Sequence, residues 1–108
     1  MGKNLKEFTV ANFQAEVLES PVPVLVDFWA KWCMPCRQIG PYVEQIAEDF
    51  AGRAKVGKLD IDINEDIAAT YNVRSIPTLL VFKGGQVVGS QTGASTKDVI
   101  AQLLERNL

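Results

Sequence analysis

The 108-residue sequence predicts an α/β fold: a central mixed sheet, parallel in its front half, closed by a C-terminal antiparallel hairpin and flanked by helices on both faces. Three observations predict it. Apolar spacing switches repeatedly between strand-like and helix-like periods, in the order β-α-β-α-β-α-β-β-α. The run Val24 to Trp29 is apolar on both faces apart from Asp27, as a strand covered on both sides must be. Lys83-Gly84-Gly85 separates two short strand-like runs, which signals a hairpin.

Each element has its own justification. Lys6 to Thr9 reads as a short strand, followed by a helix over Asn12 to Glu19 with Phe13 and Val17 on one face. Pro21 and Pro23 punctuate before the strand Val24 to Trp29. From Cys33 to Phe50 the stripe Ile39, Val43, Ile46, Ala47 and Phe50 predicts a core-facing helix, with Pro35 in its first turn, Pro41 inside it as a kink and Gly52 after its end. Lys55 to Ile63 reads as a strand with Leu59, Ile61 and Ile63 on one face. Asn64 is placed to cap a short helix containing Ile67 and Tyr71. The hairpin strands are Thr78 to Phe82 and Gln86 to Ser90. Ser95 to Asp98 has capping-box spacing ahead of a last helix that buries Val99, Ile100, Leu103 and Leu104.

An apolar content of 47% and a charged content of 22% are those of an ordinary globular chain, and the length suits one domain over 1–108. A net charge of −2 speaks against a nucleic-acid partner, since Arg53, Lys55 and Lys58 are the densest basic group and alternate with apolar residues. Met1 to Val10 carries Lys3, Asn4, Lys6 and Glu7 and so has no apolar signal core, and no segment approaches the ~20 apolar residues of a membrane span. These features lead us to expect a cytoplasmic monomer without membrane contacts; loss of a leader is the alternative. In a reducing compartment a redox-active cysteine pair is more probable than a structural disulfide.

The only two cysteines, Cys33 and Cys36, are three residues apart at a strand-to-helix junction. Residues i and i+3 of a first helical turn lie on one face, so their sulfurs can bond without unfolding anything. Cys33 falls at the helix N-terminus, where unpaired N–H groups and the macrodipole favour an anion and lower a thiol from roughly pKa 8.5 toward neutrality. Cys36 lies on the inward stripe. Cys33 is therefore expected to attack a target disulfide and Cys36 to resolve the mixed disulfide. Asp27 is a lone carboxylate in an apolar strand, costly unless it has a task or a partner. Burial should raise its pKa, fitting it to take the proton of Cys36; a structural salt bridge, with Lys58 as partner, is the alternative.

Val26-Asp27-Phe28-Trp29-Ala30 followed by Trp32-Cys33-x-Pro35-Cys36 resembles the active-site signature of the thioredoxin family. The similarity continues through Pro41, Lys58-Leu59-Asp60, Ile76-Pro77-Thr78-Leu79, Phe82-Lys83-x-Gly85 and Gly93, and so covers essentially the whole chain. The resemblance implies the thioredoxin fold and a dithiol carrier that reduces protein disulfides and maintains redox homeostasis. It implies no cofactor beyond the Cys33–Cys36 pair, disulfide-containing client proteins as partners, and a thioredoxin reductase for recycling. It further implies a cis Pro77 facing the cysteines, Lys58 beside Asp27, Trp29 shielding the active-site helix, and a docking surface of Trp32, Met34, Pro35, Ile76, Gly93 and Ala94. Without it, Trp32 reads equally as core, Gly93 as a turn and Ile76 as packing. Met34 departs from the family pattern, in which most members carry Gly. It places a flexible apolar side chain at the sulfurs, where it bears on reduction potential and partner choice.

Other readings weigh less. A less reducing, oxidase- or isomerase-like pair is the nearest alternative, distinguished by its potential. A metal module is disfavoured because zinc prefers four ligands and the chain offers two Cys and no His. A redox-inert scaffold would not need Cys33, Cys36, Asp27 and Pro77 together. Haem attachment needs His where Arg37 stands, and Cys–His hydrolase chemistry lacks its base.

Overall fold

A computed structural model describes residues 4–108; Met1 to Lys3, part of the start weighed above, lie outside the described residues. The strands are β1 (Leu5–Glu7), β2 (Val24–Trp29), β3 (Lys55–Asp60), β4 (Thr78–Lys83) and β5 (Gln86–Thr92). The helices are α1 (Met34–Asp49), α2 (Glu65–Thr70) and α3 (Lys97–Glu105), with a five-residue π-helical turn at Gln14–Leu18. The sheet runs β1-β3-β2-β4-β5, with β3 parallel to both β1 and β2 and with β2-β4 and β4-β5 antiparallel. This is the mixed sheet expected from the sequence.

Strand alternation divides the interior in two. Leu25 on β2, with Val56, Leu79 and Val81, faces Ile39, Val43 and Ile46 of α1 and Ile100, Leu103 and Leu104 of α3. Val24, Val26 and Phe28 face the other way, onto Phe8, Phe13, Val17, Ile67 and Phe82. There Phe82 takes Tyr71 and Phe13 edge-on, at centroid separations of 5.0 and 5.6 Å. The chain crosses from β1 over β3 to β2, then returns from β2 to β3 through α1. Two right-handed crossovers in opposite directions put their connections on opposite faces, which is why β2 is covered on both sides.

The hairpin is as expected: Gly84 (φ 61°) and Gly85 (φ 80°) both take the left-handed backbone that a tight two-residue turn requires. Several element ends differ from expectation. β1 is Leu5–Glu7 because its register with β3 pairs Leu5 with Val56 and Glu7 with Lys58, leaving the Phe8 ring to pack over Gly57. The expected helix Asn12 to Glu19 contracts to the π turn, with Phe13 and Val17 buried as predicted. Asn12 instead ties off its entrance, accepting from Thr9 N–H at 2.8 Å and donating to the Glu7 carbonyl at 2.9 Å. β3 stops at Asp60, whose carboxylate accepts the Asp62 N–H at 2.9 Å and opens a turn, so Ile63 is 67% exposed. Asn64 caps nothing with its side chain; it is buried, accepting from Val10 N–H at 2.9 Å and donating to the Asp60 carbonyl at 3.0 Å. Thr96, not Ser95, is the cap of α3, accepting from Val99 N–H at 3.2 Å. The buried stripe of α3 is Ile100, Leu103 and Leu104, at i, i+3 and i+4, which leaves Val99 off that face and 43% exposed.

Candidate functional site

The end of β2 delivers the chain to α1 through Ala30, Lys31 and Trp32, and Cys33 is the N-cap residue of α1. Its φ and ψ of −86° and 109° are extended, as a cap requires, and its sulfur accepts the backbone N–H of Cys36 at 3.2 Å. Cys33 and Cys36 form a disulfide with Cα atoms 5.3 Å apart. Residues three apart in one turn are brought together by the helix itself. The pair is nearly covered, Cys33 at 4% and Cys36 at 1% exposure, by Ala30, Trp29, Ile61 and Ile76.

From β4 comes the facing loop. The Ile76–Pro77 peptide bond is cis, and the Ile76 carbonyl oxygen lies 3.9 Å from Cys33 Sγ. Thr78 anchors this loop, its hydroxyl donating to the Ser75 carbonyl at 2.6 Å. Gly93 closes it from the other side, donating its N–H to the Pro77 carbonyl at 2.8 Å from a φ of 88° that suits glycine.

Asp27 points from β2 to the α1 side of the sheet, between Leu25, which packs on Ile39 and Val43, and Trp29, which packs on the cysteine pair. It is one of four buried polar or charged residues among the described ones. Asp60, Asn64 and Thr78 all have hydrogen bonds, but neither Asp27 oxygen has a partner. Burial without a donor penalises the anion and raises the carboxyl pKa from 3.8 to about 7, while the positive charge of Lys58 pulls it down. Lys58 is opposite Asp27 in the β2–β3 register, yet no salt bridge joins them. Its ammonium lies over the Trp29 ring, 3.7 Å from the centroid.

The remaining sequence candidates fall around Cys33 to different degrees. Trp32 is 69% and Met34 62% exposed on either side of it, so Trp32 is not core. Pro35 and Ala94 are exposed, Ile76 and Gly93 half-buried, Pro77 buried. Asp62 was not anticipated: its carboxylate accepts the Trp32 indole N–H at 3.0 Å. Only the turn after β3 creates that contact; in the sequence Asp62 alternates with Ile61 and Ile63, reads as the outward side of a strand and carries no signal of it. Among the described residues no group of three or more His, Cys, Asp or Glu could hold a metal, and no helix is long and apolar enough to cross a membrane.

An apolar rim around a helix-capping sulfur bonded to a more deeply buried second sulfur suits two-electron exchange between sulfur pairs. Known proteins agree with that chemistry. The thioredoxin family model matches residues 4–106. A thioredoxin of Chlorobaculum thiosulfatiphilum is 49% identical over 102 residues, 94% of each chain. Thioredoxin 1 of a Nostoc species is 50% identical over 94% of this chain and 95% of its own. The thioredoxin of Pseudomonas aeruginosa is 44% identical over the full length of both.

Proposed function

The chain belongs to the thioredoxin family and is a thiol–disulfide oxidoreductase that reduces protein disulfides, and from that premise we propose the roles of its residues. Cys33 is the attacking sulfur. As a thiolate it displaces one sulfur of a client disulfide, forming a mixed disulfide and releasing a client thiolate. Cys36 then gives its proton to the Asp27 carboxylate and attacks Cys33 Sγ, releasing the second client thiol and leaving Cys33–Cys36 oxidised. The observation that carries this division is the Cys36 N–H donated to Cys33 Sγ: the cap sulfur alone sits where anionic charge is stabilised.

The cis Pro77 loop, with the Ile76 carbonyl directed at Cys33, supports its assignment to client binding alongside Trp32, Met34, Pro35, Gly93 and Ala94. Lys58 moderates Asp27 through its charge. We further propose a single domain over 1–108, acting as a monomer in the cytoplasm, without nucleic-acid or membrane partners and without a cofactor beyond its cysteines. Both cysteines of the chain are committed to one exchangeable pair, which suits a compartment that keeps it reduced. A thioredoxin reductase is the proposed source of electrons.

An insulin-reduction assay tests the roles. Cys33→Ser should abolish turnover, while Cys36→Ser should accumulate a mixed disulfide between Cys33 and insulin, visible by mass. Trapping through Cys36 in the Cys33→Ser protein would reverse the assignment. For Asp27, the resolving step is measured by mixing a preformed Cys33 mixed disulfide and following release; an Asp27→Asn protein with unchanged rate and pH profile would remove Asp27 from the reaction.

A further inference from the structure

Lys58 has two places to put its charge. Register sets it beside Asp27 across β2–β3, and β2 sets Trp29 two residues beyond Asp27 on the same face of the sheet. The ammonium takes the indole, at 3.7 Å from the ring centroid, and both Asp27 oxygens are left without a hydrogen-bond partner. A cation over an aromatic face retains attraction while keeping its outer side open to water, whereas pairing with Asp27 would bury both charges.

We propose that Trp29 is a positioning residue for Asp27: its indole face holds the Lys58 ammonium aside, so that the carboxyl stays unpaired and free to exchange a proton. Lys58 is the charge whose field lowers Asp27. The other groups around Asp27 do not substitute for it. Asp60, next on the same face of β3, is committed to the Asp62 N–H. From α1 come the disulfide-bonded Cys36 and the exposed Arg37, and from β4 the residue opposite is Leu79. Trp29 therefore has two effects of opposite kind. It packs on the cysteine pair as apolar cover, and it decides whether the neighbouring cation is a distant field or a direct partner.

The catalytic meaning of this inference rests on the proposed role of Asp27, but its test reads protonation and geometry without turnover. In the oxidised protein, the Lys58 side-chain CH₂ protons nearest the ammonium should be shifted upfield by the Trp29 ring current, and that shift should vanish in Trp29→Leu. A carbon-13 titration of the Asp27 carboxyl should show its midpoint falling by ~1 pH unit in Trp29→Leu, as Lys58 becomes a direct partner. Trp29→Phe, which keeps apolar cover with a weaker π face, should fall in between. In a Lys58→Met background the Trp29→Leu effect should shrink to less than about a third of that value. An equal fall in both backgrounds would mean that Trp29 merely excludes water, and would overturn the proposal. So would absence of the Lys58 ring-current shift in the unmutated protein, which needs no variant to fold. Failure of Asp27→Asn to slow resolution would instead strike the role of Asp27 and leave these titrations intact.

Discussion

The Cys36 backbone N–H donates to Cys33 Sγ at 3.2 Å, so one cysteine of the pair caps the helix that carries the other. That cap position puts a Cys33 thiolate at the positive end of a 16-residue helix. In the reduced protein at pH 7, iodoacetamide should modify Cys33 at least ~10-fold faster than Cys36. Peptide mass mapping over a time course measures both rates. Equal slow rates would leave the cap without chemical effect.

Asp27 links acidity to stability. Its pKa in the folded chain, about 7, lies above its ordinary 3.8, so between these values the native state holds a proton that the unfolded state has released. Stability from this group is complete below pH 4 and is lost as pH rises through 7. Asp27→Asn should therefore be more stable than the unmutated oxidised protein at pH 8 by up to about 4 kcal/mol, at ~1.4 kcal/mol per pH unit, with the advantage shrinking as pH falls from 7 and gone by about pH 4. Urea unfolding across that range would show a difference that grows with pH; a constant difference would contradict it.

Met34 is the first residue of α1 and 62% exposed, so its side chain stabilises the fold little. Met34→Gly should cost under ~1 kcal/mol in stability. Removing an apolar contact worth ~1 kcal/mol should raise KM for a protein disulfide about 5-fold, with a small aromatic disulfide reduced as before. Steady-state kinetics on both substrates separate docking from chemistry, since a change in potential would move both.

Gly57 is fixed by a neighbour far from the cysteines. A Cβ there would stand 2.8 Å from Cδ2 and from Cζ of the fully buried Phe8 ring. Gly57→Ala should destabilise by about 1–3 kcal/mol as overpacking. Added to Phe8→Leu, the same substitution should cost clearly less, and a double-mutant cycle by denaturant midpoint measures the difference.

The cap of α3 is a smaller, local test. Thr96→Ala removes the acceptor of the Val99 N–H and should cost ~1 kcal/mol, while Ser95→Ala, which leaves the cap intact, should cost little. Thermal unfolding of the two single variants distinguishes them.

Residue type and short-range spacing made much of this legible beforehand. Two sulfurs three apart at a helix start, and one acid in an apolar strand, announce themselves because helix geometry and the cost of burying charge depend on nothing remote. What stayed hidden was settled by tertiary competition for the same group. Asn64 suits a helix cap, but Val10 N–H and the Asp60 carbonyl claim its side chain. Ile63 continues an apolar alternation, but Asp60 turns the chain before the sheet can use it. Lys58 was expected beside Asp27 and is there in register, yet only the sheet could show that an indole lies within reach of the same ammonium. Family resemblance, rather than periodicity, supplied the cis bond at Pro77.

The near-complete covering of Cys33, with only 4% of its surface left open, governs which sulfur bonds it can meet. Displacement at sulfur needs the incoming thiolate, the attacked atom and the departing atom close to a straight line, and Cys33 offers little open surface along which to align them. On the attacking role proposed for Cys33, a bridge in a slack or protruding loop can reach that alignment and one held flat inside a rigid fold cannot, so the ease with which a client's backbone bends outward would count ahead of its side chains.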